Sequence, residues 1–274
     1  MKYLIIIFFV LPTLCLSQNT RFLYHYQFIE DTLKRNALTN EMVVLDFYGK
    51  EKKSVYTSLK HIISDSTMTA KFKMGITTFP DTSTKVRYVI EKNNIEKTMY
   101  FYTPNHMSDP VLKVTDARKL KWNISSEKDS ILGYAVQKAT LDFSGRHWTA
   151  WYTNEIPISD GPYKFHGLPG LILKVSDDTN SHSFEIVSIN KNKSDYFVLD
   201  DKTYEKTKPT SLSAYSEMVE EERRSPLATF RNKAFTGEMY FHSNEEKQRF
   251  LRHVDNQIKE IKIHDNNPIE KYYK

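Results

Sequence analysis

The run from Trp148 to Val175, WTAWYTNEIPISDGPYKFHGLPGLILKV, restricts the fold more than any other stretch of the chain. It holds two turn signals a few residues apart, Gly161-Pro162 and Gly167-Leu168-Pro169-Gly170. Glycine reaches positive φ at little steric cost, and proline fixes φ and removes a hydrogen-bond donor. Leu171 to Val175 follow as a short apolar run of buried-strand length, and Trp148, Trp151, Tyr152, Ile156 and Pro157 precede the turns. The stretch therefore reads as strand, turn-rich aromatic loop, strand. A loop this apolar either packs against the core, the usual fate of apolar residues, or forms the lip of a binding site.

The remaining chain repeats the strand signal. Its 17 Tyr and 16 Phe often alternate with polar residues. Phe22, Tyr24, Tyr26 and Phe28 share one face of an extended segment, the mark of a half-buried strand. Residues 41–48 and 54–59 form a hairpin across Gly49-Lys50, and 85–90 and 95–102 form another across Asn93-Asn94. Strands over 120–124, 131–141, 146–153, 183–189 and 196–199 complete an antiparallel meander, and 61–80 reads as a short helix or an ordered loop. The C-terminal quarter is helical: Thr210 or Ser211 caps a helix to about Arg224, and the Ser243/Glu246 capping box opens a second over about 244–262. Phe250, Leu251, Val254, Ile258 and Ile261 line one face of the second helix, which is expected to cover the sheet. The polar tail from Asn266 to Lys274 is expected to fray. The expected fold is mainly β (α+β): one curved antiparallel sheet, half-barrel or open-barrel-like, with a C-terminal helix packed on it.

Residues 1–17 carry Lys2 and an apolar core from Leu4 to Leu16, too short for a membrane span and typical of a secretory signal peptide. Cleavage is expected after Ser17, leaving residues 18–274 as a single domain that is periplasmic, outer-membrane associated or secreted. Cys15 is the one cysteine, so the mature chain has no disulfide, no disulfide-linked partner and no thiolate for metal or catalysis. The leader also takes Lys2, reducing the formal charge from +5 to +4. The charge runs at 50–53 and 220–224 are short or mixed in sign, so nucleic acid is not an expected partner.

The hexapeptide Gly167-Leu-Pro-Gly-Leu-Ile172 carries a resemblance to the GLPGLI family, which is named for it. Ile131-Leu-Gly-Tyr134, Gln137-Lys-Ala-Thr140, Phe143-Ser-Gly-Arg146, Trp148, Ala150-Trp-Tyr152, Glu155-Ile-Pro157 and Gly161-Pro-Tyr-Lys-Phe165 fit the same pattern. The resemblance is dense over about residues 130–176. It implies a secreted or periplasmic protein of Gram-negative bacteria and no established activity. Many members carry a cysteine where this chain has Val136.

No G-x-S-x-G, H-E-x-x-H, P-loop, dinucleotide-binding or calcium-loop pattern is present. Two function classes remain. In the first, the chain is a non-enzymatic binding module using Arg146, Trp148, Trp151, Tyr163, Phe165 and His166 to meet an apolar ligand, a peptide or an outer-membrane protein, without cofactor or metal. Arg146 either stacks on an aromatic ring or clamps a ligand anion. In the second, it is an exported peptidase-like hydrolase or metal-binding protein. His147, His166, His182, Glu155, Asp160 and the Asp177-Asp178 pair would then converge as acid, base or ligands. The aspartates otherwise serve as turn formers. Exposure discriminates: an open aromatic groove favours binding, and His166 within reach of a carboxylate in a cleft favours catalysis. Gly170→Val is expected to destabilise, through positive φ at residue 170 and through crowding.

Overall fold

The computed structural model describes residues 18–76, 81, 83–103, 111–191, 207–264 and 266–271. The leader, and the strand expected at 196–199, lie outside them. Within this set, one sheet holds β1 (Thr20–Ile29), β2 (Leu38–Tyr48), β3 (Lys53–Ser58), β4 (Val89–Asn93), β5 (Thr98–Tyr102) and β6 (Leu112–Thr115). The same sheet holds β7 (Asn123–Ile131), β8 (Tyr134–Phe143), β9 (Arg146–Thr153), β10 (Leu171–Asp177), β11 (His182–Lys191) and β12 (Lys208–Ser211). Four helices join it: α1 (Leu59–Lys73), α2 (Leu212–Arg224), α3 (Ala228–Thr236) and α4 (Asn244–His264). The spatial order is β12-β6-β5-β4-β3-β2-β1-β11-β10-β9-β8-β7, open at both ends. All pairings are antiparallel except β12 on β6.

Chain geometry forces this sheet to curl. In a flat sheet β6 and β7 lie ten strand spacings apart, or about 48 Å at about 4.8 Å each. They are joined by residues 116–122 alone, and the eight steps from Thr115 to Asn123 reach at most about 29 Å. The two flanks must therefore rise toward each other, leaving a trough between them. The concave face carries the main core. Phe22, Tyr24, Tyr26 and Phe28 are buried there as alternation requires, and Tyr26 stacks on Phe184 with ring centroids 4.1 Å apart. A smaller apolar cluster of Val44, Val55, Ile62, Val89, Tyr102 and Val111 lies apart from it; α1, capped by Ser58 accepting from Lys60 N, supplies Ile62.

Helix α2 begins where Ser211 accepts from Ala214 N at 3.2 Å, and its Leu212 and Tyr215 pack on the core. Helix α4 opens with Ser243 accepting from Glu246 N at 3.1 Å, and Leu251 and Val254 are buried along it. Its main packing partner is α3, so it touches the sheet less than its apolar face suggests. The described part of the tail behind it, residues 266–271, does not fray. Asn267 and Glu270 are buried, and Lys271 N donates to Ser144 O at 3.0 Å. The polar residues that suggested fraying are instead partners of buried charges. Strand β7 also differs from the expected break at 124–131. Nearly all of it is exposed, because an edge strand outside the trough has no face to bury, and NISSEKDSI shows no period-two apolar signal.

Candidate functional site

Residues 154–170, between β9 and β10, lie in the trough as a plug. Its backbone is held by the sheet on both flanks. On one side Lys92 of β4 donates to Gly161 O at 2.6 Å and Tyr163 O at 3.1 Å, and Ser54 of β3 donates to Asp160 at 2.5 Å. On the other, Ile172 N of β10 donates to Asp160 O at 2.9 Å, and Trp148 of β9 meets the Phe165 ring edge-on at 4.7 Å. Two glycines fit where neighbours approach closely, backbone at Gly170 and the Ile172 side chain at Gly161. A Cβ on Gly170 would stand 2.0 Å from Thr153 O, and one on Gly161 would stand 2.8 Å from Ile172 Cβ. Of the turn glycines only Gly167, at φ +93°, uses the left-handed region. The expected intolerance at Gly170 thus comes from crowding and not from a positive φ.

The sequence-nominated binding residues divide by burial. Trp148, Tyr163 and Phe165 are exposed by 1% or less and Arg146 by 5%. Trp151 and His166 are half-buried. The aromatic cluster is therefore core, and no open aromatic groove runs along it. Its interior position follows from its composition: the plug supplies large rings to a trough that strands alone leave unfilled. Arg146 is committed to partners within the chain. Its guanidinium meets Asp177 at 2.8 Å, Asn267 Oδ1 at 2.6 Å, Pro268 O at 2.7 Å and Ile269 O at 3.1 Å, which fastens the tail to β9 and β10.

A second group, not nominated from sequence, lies beneath the plug. Lys164 is fully buried, with Nζ 3.0 Å from Asp116 and 2.7 Å from Glu270. Arg118 bridges the same two carboxylates at 2.5 and 2.8 Å and donates to Ser144 Oγ at 2.7 Å. The Tyr163 hydroxyl also donates to Glu270. Burial opposes ionisation of Asp116 and Glu270, but Arg118 and Lys164 outweigh it and hold both carboxyls below their usual range. One signal for this was available: Lys164 sits between Tyr163 and Phe165 in an apolar loop, where a cation must find buried anions. The anions themselves, Asp116 and Glu270, carry no local signature.

The nominated catalytic groups do not converge. His147 is exposed and pairs with Asp142 at 2.7 Å. His182 is buried, with Nδ1 accepting from Tyr26 and Nε2 donating to Asn267 O at 3.1 Å; burial and then the Arg146 charge hold it well below its usual pKa. Asp160 is enclosed by Lys92, Ser54 and Gly161 N. Glu155 accepts from Ala135 N, and Asp177 caps the His182 amide as a turn former. Among the described residues, no group of three or more His, Cys, Asp or Glu is placed to hold a metal ion.

His166 lies at the tip of the plug, on a cleft of about 370 Å³ between it, the β4–β5 hairpin and residues 116–120. Trp122 Nε1 donates to His166 O at 2.8 Å. The ring's Nδ1 lies 2.9 Å from Lys164 O, and a carbonyl can only accept, so Nδ1 carries the proton. Burial lowers the imidazole pKa against the opposing hydrogen bond to Lys164 O, and this favours the neutral ring, in which Nε2 is an acceptor. Lys97 and Lys119 line the cleft as exposed cations, whereas Lys92 and Arg118, which also line it, are paired with Asp160 and with Asp116 and Glu270.

Comparison with known proteins places the chain among others without assigning an activity. A family described as "Protein of unknown function (Porph_ging)" matches residues 143–174, which span β9, the plug and most of β10. No curated protein matches. Among solved structures, PNGF-II resembles this chain in two crystal forms at 21% identity, with TM-scores of 0.51 and 0.50. Each match covers 76% of this chain and 34% of PNGF-II, so this chain spans about a third of that protein's length. An uncharacterized conserved protein from Thermus thermophilus aligns over 71% of this chain and 91% of its own at 7% identity and TM-score 0.36. The PNGF-II likeness is one of fold alone, and the family match falls on the plug and its flanking strands.

Proposed function

We propose that the chain is an exported envelope protein that acts as a non-enzymatic binding module, meeting its ligand or partner at the His166 end of the plug. The observation that supports this most is the disposition of the ionisable groups. Asp116, Asp160, Asp177 and Glu270 are all buried and each is paired with lysine or arginine. None is available as a general acid or base, and His147, His166 and His182 stand in separate environments. What remains accessible is a preorganised cleft. Its walls are fixed from behind by the aromatic core and the buried ion pairs, and a rigid site loses little entropy when occupied. The aromatic residues of the 148–175 stretch thus support the site without touching the ligand.

The test is to express the protein with its leader, determine its compartment by fractionation, and record native mass spectra of the purified mature chain. A copurifying small molecule, peptide or envelope protein released on unfolding is the expected result. Peptide or ester hydrolysis by the pure protein, abolished by His166→Ala, would contradict the proposal and restore the hydrolase reading.

A further inference from the structure

The cleft beside His166 carries a donor set that narrows its ligand. We infer that it binds a small hydroxylated anion, with Lys97 and Lys119 taking the negative group and His166 Nε2 accepting a hydroxyl. This rests on the binding-module reading and adds the ligand's chemistry to it.

The groups without partners are nearly all donors. Lys97 and Lys119 line the cleft, are exposed, and form no ion pair among the described residues. Thr98 Oγ1 is buried with no hydrogen-bond partner among the described residues, an arrangement that costs stability unless a ligand or water completes it. Asn93 Oδ1 already accepts from the Ile95 and Glu96 amides at 3.0 Å, so its NH2 group is what it has left to offer. The carboxylate that would repel an anion, Asp116, is neutralised by Arg118 and Lys164 from behind. A wall of donors selects an anion. His166 Nε2 stands among them as an acceptor, because Nδ1 is committed to Lys164 O, while the Thr98 hydroxyl and the Asn94 amide can donate or accept. Nε2 is satisfied by an O–H on the same ligand. A cleft of about 370 Å³ lies within the range of small-molecule sites and suits a polyhydroxylated acid better than an extended polymer.

The probes are D-gluconate, acetate, inorganic phosphate and glycerol, titrated into the full mature chain and followed by calorimetry and by NMR of the histidine rings. Gluconate should bind saturably, shift the His166 ring, and bind at least threefold more weakly when salt is raised from 0.05 to 0.5 M. Lys97→Gly combined with Lys119→Ala should weaken it tenfold or more. Lys97 has a left-handed φ of +53°, which glycine adopts freely, so this double variant should melt no lower than wild type. Lost binding is thereby separated from lost fold. His166→Leu should reduce gluconate binding to the level of acetate. Acetate or phosphate binding as tightly as gluconate would overturn the hydroxyl assignment, and glycerol binding without any anion would overturn the charge assignment. Failure of all four probes would overturn the inference, while a ligand copurified with the protein would leave the binding-module reading standing.

Discussion

Replacing Gly170 by alanine adds one methyl group at the tightest backbone crossing in the plug. The new Cβ would fall 2.0 Å from Thr153 O and 2.7 Å from its carbonyl carbon. Non-bonded heavy atoms settle at about 3.5 Å, so the strands must part by more than about 1 Å. Three hydrogen bonds depend on that spacing: Leu171 N to Ile156 O at 3.1 Å, Ile172 N to Asp160 O at 2.9 Å, and Tyr24 OH to Ile172 O at 2.8 Å. Losing two of them at about 1 kcal/mol each, with about 1–3 kcal/mol for overpacking, totals about 3–5 kcal/mol. In a chain of this size that lowers the melting temperature by about 6–20 °C. Gly167→Ala is the internal control. Its φ is +93° but nothing lies within 4 Å of the added Cβ, so it bears backbone strain alone, about 1–2 kcal/mol. Calorimetric melts of both variants decide the matter. A Gly170→Ala midpoint within 2 °C of wild type, or above that of Gly167→Ala, would refute the close-approach argument.

Glu270→Ala leaves Lys164 and Arg118 competing for Asp116 and should cost about 3–5 kcal/mol in urea titrations, with Glu270→Gln milder; a loss below about 1 kcal/mol would show the cluster to be dispensable. Ending the chain after His264 removes Asn267 and Glu270 together and should be at least as damaging as Glu270→Ala, read by the same titration. Stability should fall with acid in two stages. The folded pKa of His182 is depressed, so its contribution is complete above the unfolded value of about 6.5 and is lost as pH falls below it. Asp116 and Glu270 are also depressed, so their contributions are present above about pH 4–4.5 and are lost as pH falls further. His182→Gln should flatten the curve between pH 6.5 and 5, and an unchanged slope there would show that another group titrates.

Much of the sheet was legible because strands such as β1 and β8 alternate between a buried and a more exposed face. Phe22 to Phe28 alternate visibly, and the turns at Gly49-Lys50 and Asn93-Asn94 fall between the expected strands, although the left-handed residue in each is a lysine, Lys52 and Lys97. Both C-terminal helix starts were readable from Ser211 and Ser243, whose hydroxyls accept from Ala214 and Glu246 amides. Strand β7 was not, since an exposed edge has no apolar period to read. The aromatic loop was recognisable as special, but its direction was not. Rings that line a groove and rings that fill one look alike in sequence, and the deciding partner of Lys164 lies 106 residues away at Glu270. Polarity misled at the tail, where Asn267 and Glu270 are polar because they serve buried Arg146, His182 and Lys164. The cleft was half legible: His166 stood out, whereas Lys97, Thr98 and Lys119 join it only through the curl of the sheet.

The claim on which the account rests is that residues 154–170 are an interior element of the fold. Native-state hydrogen exchange, resolved by residue, measures this directly. The amides of Phe165, Leu171 and Ile172, bonded to Pro162, Ile156 and Asp160 carbonyls, should exchange as slowly as those of β1 and β11, opening only with global unfolding. Exchange of these amides within seconds at neutral pH, while the strands remain protected, would show the plug to be a surface loop and would contradict the account.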